Sequence, residues 1–152
     1  NRDYLDTIYN GVRAVKEIAG KGDVLAVFDL HSPWHISGRN DKIFCVRNSE
    51  KKLDDMRLFG RCFEESITPD AMKYSTKNDI DPGVEWNIGK ERTSCGTFCR
   101  DIPGVELAFP LETTYFGEPG NVVSQEKLVA TGRCFLEGFR KYLIRKGMEK
   151  TI

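Results

Sequence analysis

The stretch DVLAVFDLHSPWHISG, residues 23–38, holds both histidines of the chain, His31 and His35, directly after an apolar run. An imidazole at the end of a strand can bind a metal through a neutral ring nitrogen, or carry a proton near neutral pH. A second apolar run, GVELAFPLE, closes on Glu112. A carboxylate there can take a proton from metal-bound water, or act with the histidine as a plain acid and base. The plainer reading of the same residues makes His31 the partner of a local backbone group and Glu112 the cap of the turn TTYFGEPG. His31 and His35 also form H-x3-H, but the glutamate of H-E-x-x-H is absent and Pro33 opposes the helix that would bring the rings together. His35 is therefore not expected to be a ligand.

Five cysteines, Cys45, Cys62, Cys95, Cys99 and Cys134, are odd in number and widely spread, unlike a disulfide framework. Cys95 and Cys99 form C-x3-C with no second pair and no nearby histidine, which argues against a zinc finger. These cysteines read as small core residues.

The elements that must position these groups follow from periodicity. Leu5, Ile8, Tyr9, Val12, Val15 and Ile18 recur every three or four residues, which predicts an amphipathic helix stopped at Gly20 or Gly22. VLAVFDL is apolar on both faces except for Asp29 and reads as a buried parallel strand. KIFCVR is a second strand candidate, and SEKKLDDMRLFGRCFEES a helix with Leu53, Met56, Phe59 and Phe63 on one face. Residues 67–95 carry Pro69, Pro82, Gly83 and Gly89 without a clear period and read as a long loop. The strand ending in Glu112 comes next. A closing helix follows, capped by Ser124, with Leu128, Phe135, Phe139 and Leu143 on one face and Gly147 at its end. Helices alternating with apolar strands predict an α/β architecture with a mixed, mostly parallel sheet. Ligands gather at the carboxyl ends of such strands, so His31 and Glu112 are expected on one rim.

At 152 residues the chain has the length of one domain. No apolar run reaches the roughly 18 to 20 residues of a membrane helix. Lys plus Arg equals Asp plus Glu, 23 against 23, so no global field favours nucleic acid or an anionic membrane.

Three segments together resemble a family. FDLHS resembles the segment carrying the third zinc ligand in zinc carboxypeptidases of the carboxypeptidase A type. GVELAFPLETTY is similar to that family's later strand, where a glycine opens an apolar run that ends in the catalytic glutamate. NRDY is similar to the asparagine–arginine pair that receives the substrate's terminal carboxylate. The resemblance implies a three-layer helix–sheet–helix, zinc-exopeptidase-like fold across residues 1–152, as the carboxyl-terminal part of a truncated catalytic domain. It implies one Zn2+ bound by His31, Glu112 as the catalytic base, and Asn1 and Arg2 as the substrate-binding pair. The other zinc ligands, an H-x-x-E motif, and the carbonyl-polarising arginine of the family lie upstream of its Asn-Arg pair. No tyrosine matches the family's mobile-loop position: a gapless count reaches Lys90, with Tyr74 further off. The specificity position falls near Phe98, suiting an apolar pocket. The expected activity is removal of carboxyl-terminal residues from peptides, with no nucleic-acid partner. The same architecture serves acyl-amino-acid hydrolases resembling the aspartoacylase and succinylglutamate-desuccinylase branch, and a rim without metal would instead be a peptide-binding module. Compartment and oligomeric state stay open at this point.

Overall fold

A computed structural model describes residues 2–21, 24–33, 38–88, 99–100 and 102–148. The elements are α1 (Arg2–Lys21), β1 (Ala26–His31), β2 (Phe44–Cys45), α2 (Leu53–Glu64), a single 3-10 turn (Thr76–Asn78), β3 (Leu107–Glu112), β4 (Gly117–Glu118), β5 (Asn121–Val122) and α3 (Gln125–Arg145). The chain is thus mixed α/β, with three strands in the order β1-β3-β2 and a separate β4-β5 hairpin. β1 runs parallel to β3, in register from Ala26 opposite Leu107 to His31 opposite Glu112. β2 is antiparallel to β3, so the sheet is mixed with one pair of each kind, rather than mostly parallel.

β2 is shorter than the six residues expected of KIFCVR, and Pro110 supplies the reason. Val46 N–H donates to the Pro110 carbonyl at 3.1 Å, but proline has no N–H to return, so the antiparallel ladder stops. Beyond that point the chain turns to its other neighbour: Ile80 N–H donates to Cys45 O and Arg47 N–H to Ile80 O, both at 2.9 Å. The region predicted as a plain loop therefore contributes bridges at Tyr74 and Ile80 to the edge of β2.

Alternation along β1 and β3 sorts side chains onto two faces. Ala26, Phe28, Leu107, Phe109 and Leu111 pack into the main core with α2 and α3. Phe28 lies 4.8 Å from Phe135 and 5.3 Å from both Phe59 and Phe109, ring centre to ring centre. On the opposite face Val27 and Ala108 meet Val15 of α1 in a smaller cluster. The described cysteines, Cys45, Cys62, Cys99 and Cys134, are free and buried, as expected; Cys95 lies outside the described residues.

Ser124 caps α3 as predicted, accepting from Lys127 N–H at 3.3 Å, and Gly147 follows the helix with φ 66°. Of the expected core row of α3, Phe135 is buried and Phe139 and Leu143 pack against the core, whereas Leu128 is exposed; Cys134, Gly138 and Tyr142 complete the buried face. Gly138 lets α3 approach α2, because a Cβ there would sit 2.6 Å from the Phe63 Cα. Gly138→Ala should therefore cost about 2 kcal/mol despite alanine's better helix propensity, since the clash is with backbone that cannot rotate away. Chemical denaturation would measure it; an unchanged midpoint would mean that the helices separate freely. No helix among the described residues is long and apolar enough to cross a membrane.

Candidate functional site

Parallel pairing brings the last residues of β1 and β3 side by side. Asp29, His31 and Glu112 alternate in step with Val27 and Ala108, so all three project from the sheet face that carries α1. His31 Nε2 lies 3.1 Å from Glu112 Oε1, and His31 Nδ1 lies 3.1 Å from Asp29 Oδ1. The ring is held between two carboxylates, one on its own strand and one on the neighbour. The two expected residues, His31 and Glu112, are thus in direct contact at a common rim.

The environments of the three groups differ. The imidazole is about half exposed, at 46%, whereas the Glu112 side chain is only 6% exposed. Phe44, the β2 partner of Glu112 in register, is fully buried. Burial raises the proton affinity of the Glu112 carboxyl group above the ordinary glutamate range; His31 opposes that shift and Asp29 adds to it. Glu112 Oε2 is buried without a hydrogen-bond partner, so one oxygen of the pair holds His31 and the other holds nothing. An orphaned carboxylate oxygen is costly in a structural role and useful in a chemical one.

The backbone around the rim is stitched firmly. Thr113 N–H donates to the His31 carbonyl at 2.6 Å, extending the ladder past Glu112, and the hydroxyls of Ser32 and Thr113 lie 3.2 Å apart. Thr114, not Glu112, organises the following turn. Its Oγ1 donates to Asn40 O at 2.8 Å and accepts the N–H groups of Phe116 and Gly117. The turn-capping role open to Glu112 in the sequence is therefore filled by Thr114, two residues on.

Arg2 is the first residue of α1, and Asn1, His35, Lys90 and Phe98 lie outside the described residues. Tyr74 is buried and its hydroxyl donates to Asp79 at 2.8 Å, in a different network. Asp29 is the residue that sequence reasoning left without a role. Its signal was present as the one polar interruption of an apolar strand, two positions before the histidine and so on the same face.

The residues present fit one corner of a zinc site. Both His31 nitrogens face carboxylates, so a zinc ion would take Nε2 in place of the Glu112 contact while Asp29 keeps Nδ1, the arrangement that fixes a ligating histidine's tautomer. Glu112 supplies a buried oxygen without a partner beside it. Among the described residues no group of three or more His, Cys, Asp or Glu side chains is arranged to hold a metal ion. His31 would thus be the single ligand from this part of the chain. Comparison of the chain with protein-family models, curated proteins and solved structures gives no match.

Proposed function

We propose that this chain carries part of the catalytic centre of a zinc-dependent hydrolase of the metallocarboxypeptidase type, in a three-layer zinc-exopeptidase-like domain. One observation supports this reading above the others: the buried Glu112 carboxylate touches a half-exposed imidazole with one oxygen and keeps the other unpartnered. In the proposed site His31 is a zinc ligand and Asp29 holds its other nitrogen, with the remaining protein ligands supplied from outside these 152 residues. A zinc ion bound there would supply a water whose pKa is lowered from about 15.7 toward roughly 7. Glu112 takes the proton from the attacking water and returns it to the leaving amine. Arg2 would grip the terminal carboxylate of a peptide with its two-pronged guanidinium, beside Asn1, restricting cleavage to chain ends.

Asp29 has a positioning part in this scheme. Asp29→Asn keeps an acceptor oxygen but loses the charge that favours the Nδ1–H tautomer, and should weaken zinc binding by about 10- to 100-fold. Competition against a chromophoric chelator measures this without any turnover. Unchanged affinity would remove Asp29 from the site.

A second reading draws on the engagement of both His31 nitrogens by carboxylates. In that reading the rim is a metal-free acid–base or peptide-binding pair. A zinc titration of the full-length protein separates the two, because only the first reading predicts that His31→Ala abolishes stoichiometric zinc. Release of amino acids from peptides, against release of an acid from N-acyl amino acids, separates the carboxypeptidase from the acyl-amino-acid hydrolase.

A further inference from the structure

We propose that a cavity behind the turn between β3 and β4 binds a free amino acid as its zwitterion. Its volume is about 270 Å³. Two ammonium groups, Lys42 and Lys73, line it together with two carboxylates, Asp41 and Glu118. Met72 and Tyr74, both members of the main core, supply its apolar wall. That core lies on the α2–α3 face of the sheet, whereas Glu112 projects from the α1 face. The cavity is therefore separate from the His31–Glu112 rim.

The walls are fixed before any ligand arrives, as small-molecule sites usually are. Three buried side chains pin their backbone. Thr114 holds the turn through its bonds to Asn40, Phe116 and Gly117. Asn121 Oδ1 accepts the Lys73 N–H and Thr131 Oγ1 accepts the Met72 N–H, both at 2.9 Å. Gly117, with φ 77°, lets the hairpin close onto this wall, because a Cβ there would sit 2.2 Å from the Asn121 carbonyl oxygen.

Four formal charges, two of each sign, thus stand on a rigid wall. Among the described residues none of the four makes an ion pair or a side-chain hydrogen bond, although Asp41, Lys42 and Glu118 are half-buried. Elsewhere Lys52 closes onto Glu106 at 2.7 Å and Lys146 onto Asp55 at 2.8 Å. Unlike charges that share a wall without meeting are held apart by the hollow between them, and each gains from an opposite charge placed there. Asn121 adds a donor. It is 6% exposed, and its Nδ2 has a single long bond, to Ala71 O at 3.4 Å. One of its two N–H groups therefore has no acceptor among the described residues. A simple anion would meet Asp41 and Glu118, and a simple cation would meet the lysines. A carboxylate facing Lys42, Lys73 and Asn121, one carbon from an ammonium facing Asp41 and Glu118, satisfies both sets. The volume falls just below the roughly 300 to 1,000 Å³ of sites for drug-sized molecules, which suits a single amino acid, and Met72 and Tyr74 suit an apolar side chain. Partial solvation of the charges sets the expected affinity on the order of 1 mM.

The test is a titration of the full-length protein with leucine, N-acetyl-leucine and leucine amide at matched ionic strength. The readout is the Met72 methyl group by NMR, identified through its loss in Met72→Leu. A saturable shift with leucine is expected, and the two blocked forms, each lacking one charge, should bind at least tenfold more weakly. Lys42 and Glu118 have no described side-chain partner to lose, so Lys42→Gln and Glu118→Gln keep the fold and should each weaken leucine about five- to tenfold. Absence of a saturable shift with leucine would overturn the proposal, as would unchanged affinity in the two variants. Equal binding of either blocked form would overturn the assignment to a zwitterion. The titration reads neither turnover nor zinc, so its outcome is independent of the hydrolase reading.

Discussion

Glu112→Gln should lower turnover of the full-length protein by about 10²- to 10⁴-fold and leave its zinc content unchanged, if the proposed zinc-hydrolase reading holds. The magnitude is what a positioned proton acceptor contributes. Glutamine keeps the shape of the side chain, and Asp29 still holds His31 at Nδ1, so the histidine keeps its orientation. It loses only the capacity to take up a proton. In the metal-free protein the stability change runs in the opposite direction to an unfolding defect. A carboxyl group whose proton affinity is raised by burial favours the folded state while protonated. That contribution is present at acid pH and is lost as pH rises from the ordinary glutamate value through the raised one. A neutral glutamine carries no such dependence. At pH 7 the variant should melt no lower than the parent, and its advantage should disappear on acidification. Elemental analysis, a steady-state assay and a pH series of thermal melts check the three parts together. Retained turnover removes Glu112 from the base role.

Asp79→Ala should destabilise the fold by about 3 to 5 kcal/mol, the usual result of removing one partner from a buried ion pair. The Asp79 side chain is fully inaccessible and serves three donors. Its Oδ1 accepts Cys45 N–H at 2.8 Å; its Oδ2 accepts Arg47 Nη2 at 2.5 Å and the Tyr74 hydroxyl at 2.8 Å. Alanine would leave all three without that acceptor. Arg47 would keep Asp81 at 2.6 Å, but its Nε already has no partner. The network ties β2 to the chain after the 3-10 turn, so the damage should spread to the sheet edge. Burial outweighs Arg47 and pushes the Asp79 carboxyl up to about 6 from 3.8. Asp79 therefore contributes stability below pH 4 that fades as pH rises toward 6 and is flat above it. Asp79→Asn, which keeps an oxygen for Cys45, should flatten that part of the pH–stability curve. Urea melts from pH 4 to 7 on parent and variant isolate it from carboxylates shifted the other way, such as Asp81 and Glu64. A parallel pair of curves would show that Asp79 does not titrate there.

The contact between His31 and Glu112 was legible because the rule behind it is topological: parallel strands present their last residues at one rim, whatever their separation in sequence. The helices were legible where apolar spacing was dense, as at Met56, Phe59 and Phe63. The phase of α3 was legible in Phe135, Phe139 and Leu143, but Leu128 was misplaced, because a leucine satisfies the pattern equally well on a solvent face, while the close contact at Gly138 carried no apolar signal. The length of β2 was hidden in another strand, since Pro110 ends the ladder from across the sheet. The Arg47–Asp79–Asp81 network was hidden for a related reason. Arg47 lies more than thirty residues before its two aspartates, which stand in a stretch without periodicity, and only the fold makes them neighbours.

Asp29 shows the limit between these cases. Its position on the histidine's face follows from strand alternation, but a role for it needs the ring orientation, which two carboxylates fix together.

The most direct measurement is anomalous X-ray scattering at the zinc edge from crystals of the full-length protein. A peak about 2.0–2.1 Å from a His31 ring nitrogen, with the Glu112 carboxylate next to the ion's open side, is the predicted result. A fully occupied zinc bound elsewhere, with His31 still clasped between Asp29 and Glu112, would contradict it.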